Sequence, residues 1–216
     1  MKKLGFGMMR LPLLNEEDKK SIDKKTVCQM VDTFMERGFT YFDTAYMYHE
    51  YESERAVKDV LVTRKDRDSY TLASKLPVMQ LKEKEDMERI FNEQREKCGV
   101  EYFDYYLLHA LDAEHYKTVK RLDCFGFAMQ KKAEGKVKHV GFSFHDSAEV
   151  LDQILTEHPE AEFVQLQLNY LDWEDAKVQS RKCYETAVKH GKKVVVMEPV
   201  KGGTLAKLPK KAEDVL

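Results

Sequence analysis

Apolar and polar positions follow two alternating rhythms along this chain. Short, apolar, β-rich runs recur as LGFGMM (4–9), TYFDT (40–44), YTLAS (70–74), DYYLLH (104–109), HVGFSF (139–144), FVQLQL (163–168) and KVVVME (193–198). They lie roughly thirty residues apart, the length of one strand-loop-helix-loop unit. Between them the apolar positions take helical spacing. Over residues 24–38, Val27, Met30, Val31 and Phe34 keep the i, i+3, i+4, i+7 rhythm, and Gly38 follows as a stop signal. The same rhythm predicts helices over 54–62, 85–99, 115–135, 147–158 and 175–191, three of them closed by Gly99, Gly135 and Gly191. No Pro/Ser-rich linker interrupts the series, so residues 1–216 read as a single domain.

A regular strand-helix series with apolar strands implies a parallel sheet covered by helices. Two architectures compete, an open doubly wound sheet and a (β/α)8 TIM barrel. An open sheet with a dinucleotide site calls for G-x-G-x-x-G after the first strand. Here Gly5 and Gly7 are present, but Arg10 stands where the third glycine belongs. The barrel is therefore favoured.

Composition narrows the partners. The hydrophobic fraction of 43% suits a globular core, and the 34% of charged residues nearly cancel to a net charge of −2. Nothing favours nucleic acid or an anionic membrane as a partner. Cys28, Cys98, Cys124 and Cys183 form no C-x-x-C pair, which argues against a zinc knuckle or a redox dithiol. Arg10 and Pro12 interrupt the apolar start before any cleavage site, and no segment approaches 18 apolar residues, so the expected location is cytoplasmic.

In a barrel, reactive groups sit at the C-terminal strand ends. Asp43 and Tyr48 fall at or just beyond the second strand, Lys75 at the end of the third and His109 at the end of the fourth, so all four converge on one mouth. A free phenol has a pKa near ~10, and a neighbouring ammonium favours its ionised form. Lys75 supplies that charge, and Asp43 keeps a buried lysine protonated. His109 can offer a ring N–H to a carbonyl oxygen. These are the parts for carbonyl reduction, with Tyr48 as general acid.

The segments FDTAYMYHEYESE, ASKLP, DYYLLH, GKVKHVGFSFHD, VQLQLNYLD and VVVMEPVKGGTL resemble the aldo-keto reductase family over nearly the whole chain. The family's Asp-Tyr-Lys-His tetrad maps onto Asp43, Tyr48, Lys75 and His109. The resemblance implies an oxidoreductase that passes a hydride from NADPH to an aldehyde or ketone, a small-molecule carbonyl substrate. It places Ser143 and Gln165 on the nicotinamide carboxamide, with Phe144 replacing the usual Asn. Met197 falls where many members stack a tyrosine on the ring. Pro199, Val200, Lys201 and Gly203 fall near the pyrophosphate, and Met8 replaces a commoner Thr. MEPVKGG and LQLNYLDW look most like a bacterial branch whose longer members carry a C-terminal iron-sulfur region. No cysteine cluster is present, so no cluster is expected here.

An eighth strand, with the loop that holds the adenosine 2'-phosphate in the family, has no counterpart. The expectation is thus a barrel truncated after about seven strands, with open edges. Self-association over that gap or disorder near the C-terminus would follow, with weak NADPH affinity. Tyr46, His49 and Trp173 are candidates for a substrate pocket or for simple packing. His139 and His145 lie at opposite ends of one strand, too far apart to share a metal ion with Asp146. The charge runs EKEDMER (83–89) and KLPKKAED (207–214) read as solvated helix faces. A catalytically weak or inactive cofactor-binding regulatory protein with the same fold is the alternative function. A metal-dependent barrel hydrolase is disfavoured because no strand end carries H-x-H.

Overall fold

A computed structural model describes residues 2–207. The KLPKKAED run beyond residue 207 and the expected C-terminal disorder lie outside the described residues. Seven parallel strands run in chain order across one sheet: β1 (Gly5–Gly7), β2 (Tyr41–Asp43), β3 (Thr71–Leu76), β4 (Phe103–Leu111), β5 (Val137–Phe144), β6 (Phe163–Gln167) and β7 (Lys193–Met197). Every pairing is between neighbours in sequence, and the sheet curls into most of a TIM barrel. Among the described residues no strand joins β7 to β1.

Period-two alternation sorts each strand's side chains. On β2, Phe42 points outward and is fully buried against the helices. Tyr41 and Asp43 point into the barrel. A small interior core of Ala73, Leu107 and Phe163, with Tyr41, Tyr105 and Val195 against it, fills the space below the mouth. Gly141 on β5 is required there, because a Cβ would come within 2.4 Å of the Phe163 carbonyl oxygen.

Helices α1 (Lys24–Glu36), α2 (Ser53–Val57), α3 (Glu85–Cys98), α4 (Ala113–Leu122), α5 (Cys124–Ala133), α6 (Ala148–Glu157) and α7 (Ser180–Lys189) cover the outside. Asp23 caps α1 by accepting from the Thr26 N–H, and Val27, Val31 and Phe34 form its buried face. Met30, expected on that face, is exposed. The helix expected over 54–62 is α2 continued by a wider π-helical turn, Lys58–Val62.

The single helix expected over 115–135 is two. Asp123 adopts a left-handed conformation (φ 59°), which short polar side chains tolerate, and there it ends α4 and caps α5 through the Gly126 N–H. The last helix begins at Ser180, because residues 172–179 are spent in turns held by the Asp175 side chain. No helix of the described residues is long and apolar enough to cross a membrane.

Candidate active site

The β2–α2 loop places the first two groups. Asp43 ends β2, and His49, Glu50 and Tyr51 all take positive φ (51°, 50°, 75°), turning the chain sharply after Tyr48. His49 holds that turn from behind. Its Nε2 accepts from the Leu11 N–H at 3.0 Å, so its Nδ1–H donates to the Lys19 carbonyl at 2.9 Å. His49 is thus a loop brace. Tyr46 is likewise structural, buried with its hydroxyl on Glu93 and the Lys97 ammonium 4.2 Å from its ring centre.

Lys75 points into the barrel from β3 and is 1% exposed. Its Nζ donates to Asp43 Oδ1 at 2.5 Å, to the Thr44 carbonyl at 2.8 Å and to Tyr48 Oη at 3.3 Å. Three donors meet three acceptors. Burial alone would lower the affinity of Lys75 for its proton, but the Asp43 carboxylate and then Tyr48 outweigh it and hold the ammonium above the ordinary lysine range. The other carboxylate oxygen of Asp43 accepts from Tyr41 and from Gln165, each at 3.1 Å. Because Lys75 donates to the phenol oxygen, the hydrogen of Tyr48 remains available toward the mouth.

His109 reaches the same space by way of an irregularity. The β4–β5 register shifts between Leu108 and Leu111, and Ala110 takes φ 55°. Such a bulge re-aims a side chain. The His109 ring sits edge-on to Tyr48, 5.8 Å between centres. Burial, then the charge of Lys75, drives its pKa down to about 3. The ring is neutral, and its buried Nδ1 has no partner among the described residues.

A second polar layer lies behind Lys75. The Gln94 amide nitrogen of α3 lies 2.8–3.0 Å from Glu54, Ser74 and the Lys75 carbonyl, its two hydrogens shared among these three acceptors, and its Oε1 accepts from Tyr106 at 2.7 Å. Glu54 also takes the Ser74 hydroxyl, and burial raises its pKa. Nothing in the sequence reading singled out Glu54 or Gln94. Their signal was a polar side chain on an otherwise core-facing stripe.

Across the mouth, Ser143 is the next-to-last residue of β5, its hydroxyl accepting from the Ala110 N–H at 2.7 Å. Beside it on β6, Gln165 donates to Asp43, and its Oε1 is free among the described residues. Phe144 faces out of the barrel, packed on Phe142. Met197 ends β7 half-buried, and Pro199 and Val200 are exposed. Lys201 binds Asp172, which Gln167 and Asn169 also hold. Lys201, Gly202 and Gly203 all have positive φ. Met8 stands apart, fully buried with its N–H on the Asp43 carbonyl and its C=O taken by Ser53. Trp173 packs on Tyr184, outside the mouth residues. His139 stacks on Tyr105 and pairs with Glu162, and among the described residues no three His, Cys, Asp or Glu side chains gather to hold a metal.

The Aldo/keto reductase family model matches residues 3–215. Among solved structures, a thermostable aldo-keto reductase in complex with the inhibitor epalrestat aligns with a TM-score of 0.72 at 19% identity, over 99% of this chain and 73% of that one. An aldo-keto reductase from Klebsiella pneumoniae in complex with NADPH gives 0.67 at 20% identity, over 94% and 66%. One from Bombyx mori in complex with NADP gives 0.66 at 16% identity, over 92% and 62%. At such identities the likeness establishes the fold. No curated protein sequence matches the chain.

Proposed function

The chain belongs to the aldo/keto reductase family, and from that premise we propose that it is an NADPH-dependent carbonyl reductase with Tyr48 as proton donor. One observation carries the reading: a buried ammonium, Lys75, stands 2.5 Å from Asp43 and 3.3 Å from the Tyr48 oxygen. When bound, NADPH supplies the hydride that adds to the carbonyl carbon. Tyr48 gives its hydrogen to the carbonyl oxygen, completing the alcohol. Lys75 steadies the phenolate that this leaves, and Asp43 keeps Lys75 charged.

His109 has a different part. An imidazole that is neutral down to about pH 3 holds no second proton to give in the neutral range. It serves instead as a neutral N–H donor that orients the carbonyl oxygen, and the acid role falls to Tyr48.

The opposite side of the mouth fits a nicotinamide dinucleotide. The free Oε1 of Gln165 and the hydroxyl hydrogen of Ser143 are the acceptor and donor that a carboxamide needs. Met197 offers a polarisable thioether to a ring face. The turn over Pro199, Val200, Lys201 and Gly203 suits a phosphate. Met8, with both backbone groups engaged, contributes only packing below the site.

The test is NADPH oxidation with a panel of aldehydes. Tyr48→Phe should lower turnover by roughly 10²–10⁴ while NADPH still binds. Full activity in Tyr48→Phe would refute the assignment. Cofactor binding with no turnover in the natural sequence would instead favour a regulatory protein.

A further inference from the structure

Tyr41 is an ionisable group inside the barrel that the proposed reaction leaves without a part. It stands two residues before Asp43 on β2, so both side chains enter from the same face of the strand. Its ring is wedged. Gly5 of β1 is its partner in the sheet, and a Cβ there would come within 2.8 Å of Tyr41 Cδ1. Tyr105 of β4 meets the ring edge-on, 5.3 Å between centres. From that seat the hydroxyl donates to Asp43 Oδ2 at 3.1 Å. Burial, then the charge of Asp43, pushes the Tyr41 pKa well above the usual phenol range, so the group remains a donor.

The two oxygens of Asp43 have different duties. Oδ1 takes the Lys75 ammonium, which in turn donates to Tyr48. Oδ2 takes Tyr41 and Gln165. Gln165 is also the residue proposed to meet a carboxamide, whereas the Tyr41 hydroxyl has Asp43 as its one acceptor among the described residues. Tyr105 and His109 of β4 and Tyr48 of the β2–α2 loop are the other ionisable groups facing this pair and Lys75, and Oδ2 takes no hydrogen bond from them. A donor on one oxygen of a carboxylate weakens the carboxylate as a base. Less of the Lys75 charge is then spent on Asp43, and more is left for the oxygen of Tyr48.

We propose that Tyr41 is a positioning residue for the proton donor: its hydroxyl fixes the Asp43 carboxylate and tempers its pull on Lys75, so that the ammonium also serves Tyr48. This rests on the reductase reading above.

The test compares the natural sequence with Tyr41→Phe, which keeps the wedged ring and removes the hydroxyl, and with Tyr105→Phe, which removes a neighbouring hydroxyl that makes no hydrogen bond to Asp43. The readout is the pH profile of the reverse reaction, oxidation of an alcohol with NADP+. There Tyr48 must be phenolate to take the hydroxyl proton, while the hydride on the same carbon passes to NADP+. Because Lys75 stabilises that phenolate, Tyr41→Phe should move the pH of half-maximal rate upward by roughly half a unit to one unit and lower aldehyde reduction by up to about tenfold. NADPH affinity should stay the same, and Tyr105→Phe should leave the midpoint in place. Lower turnover with an unmoved midpoint would make the hydroxyl a packing element and overturn the proposal, as would an equal shift in Tyr105→Phe or an unaltered Tyr41→Phe enzyme. The reductase reading fails separately, if Tyr48→Phe is fully active or the natural sequence turns over no carbonyl, and the role of Tyr41 then falls with it.

Discussion

Lys75 on β3 carries a charge and is 1% exposed, whereas Val196 on β7 is apolar and 48% exposed. Place in the sheet, more than polarity, decides burial here. β3 is flanked by β2 and β4, so even an ammonium that points from it into the barrel is sealed, with every donor engaged. β7 has one neighbour among the described residues, and its outer face meets solvent. The groups proposed to handle the proton therefore sit in the braced part of the barrel, and the proposed cofactor residues sit partly on an arc with fewer supports. On the proposed function, an active site built this way would hold its acid on the rigid side of the sheet.

The largest effect should come from breaking the braced side. Lys75→Met leaves the Asp43 carboxylate buried without its cation, and removing one partner of a buried pair costs about 3–5 kcal/mol. Urea unfolding should show this loss, and Asp43→Asn added to Lys75→Met should recover part of it. A loss no larger than that of a surface substitution would mean that β3 is not the rigid side.

The next effect is a pH dependence. In the fold His109 is held at about 3, below the ordinary 6.5 of the unfolded chain. Between these values the unfolded state binds more protons, so the contribution of His109 is present above pH 6.5 and drains away as pH falls toward 3. The slope is at most about 1.4 kcal/mol per pH unit. His109→Asn should flatten stability over that window, measured by unfolding at several pH values. An unchanged slope would place the imidazole in water.

The smallest effect belongs to β7. Val196→Thr should change stability by less than about 0.5 kcal/mol. A cost on the scale of a core substitution would show that another surface covers the outer face of β7 in solution.

The strands and the Asp43, Tyr48, Lys75 and His109 constellation were legible because both are local: an apolar run ends, and a reactive residue follows at once. What escaped depends on longer range. Nothing in the helical rhythm of 115–135 marks a break, yet Asp123 can turn left-handed and cap the next helix, and it does both. His49 is a candidate for a pocket or for packing in the sequence, and its two ring nitrogens meet Leu11 and Lys19. Arg10 stands out in the sequence for not being glycine and for breaking the apolar start, and no local pattern announces its partner Glu198, 188 residues away.

Gln94 belongs to α3, on the outer shell, yet its amide closes on the carbonyl of the residue that bears the ammonium. That bond, with those to Ser74 and Glu54, works like a set-screw driven through the barrel wall. The backbone of Lys75 is thereby tied to the outer shell. A displacement of α3 would thus be felt, through one side chain, by the lysine that contacts the proposed proton donor.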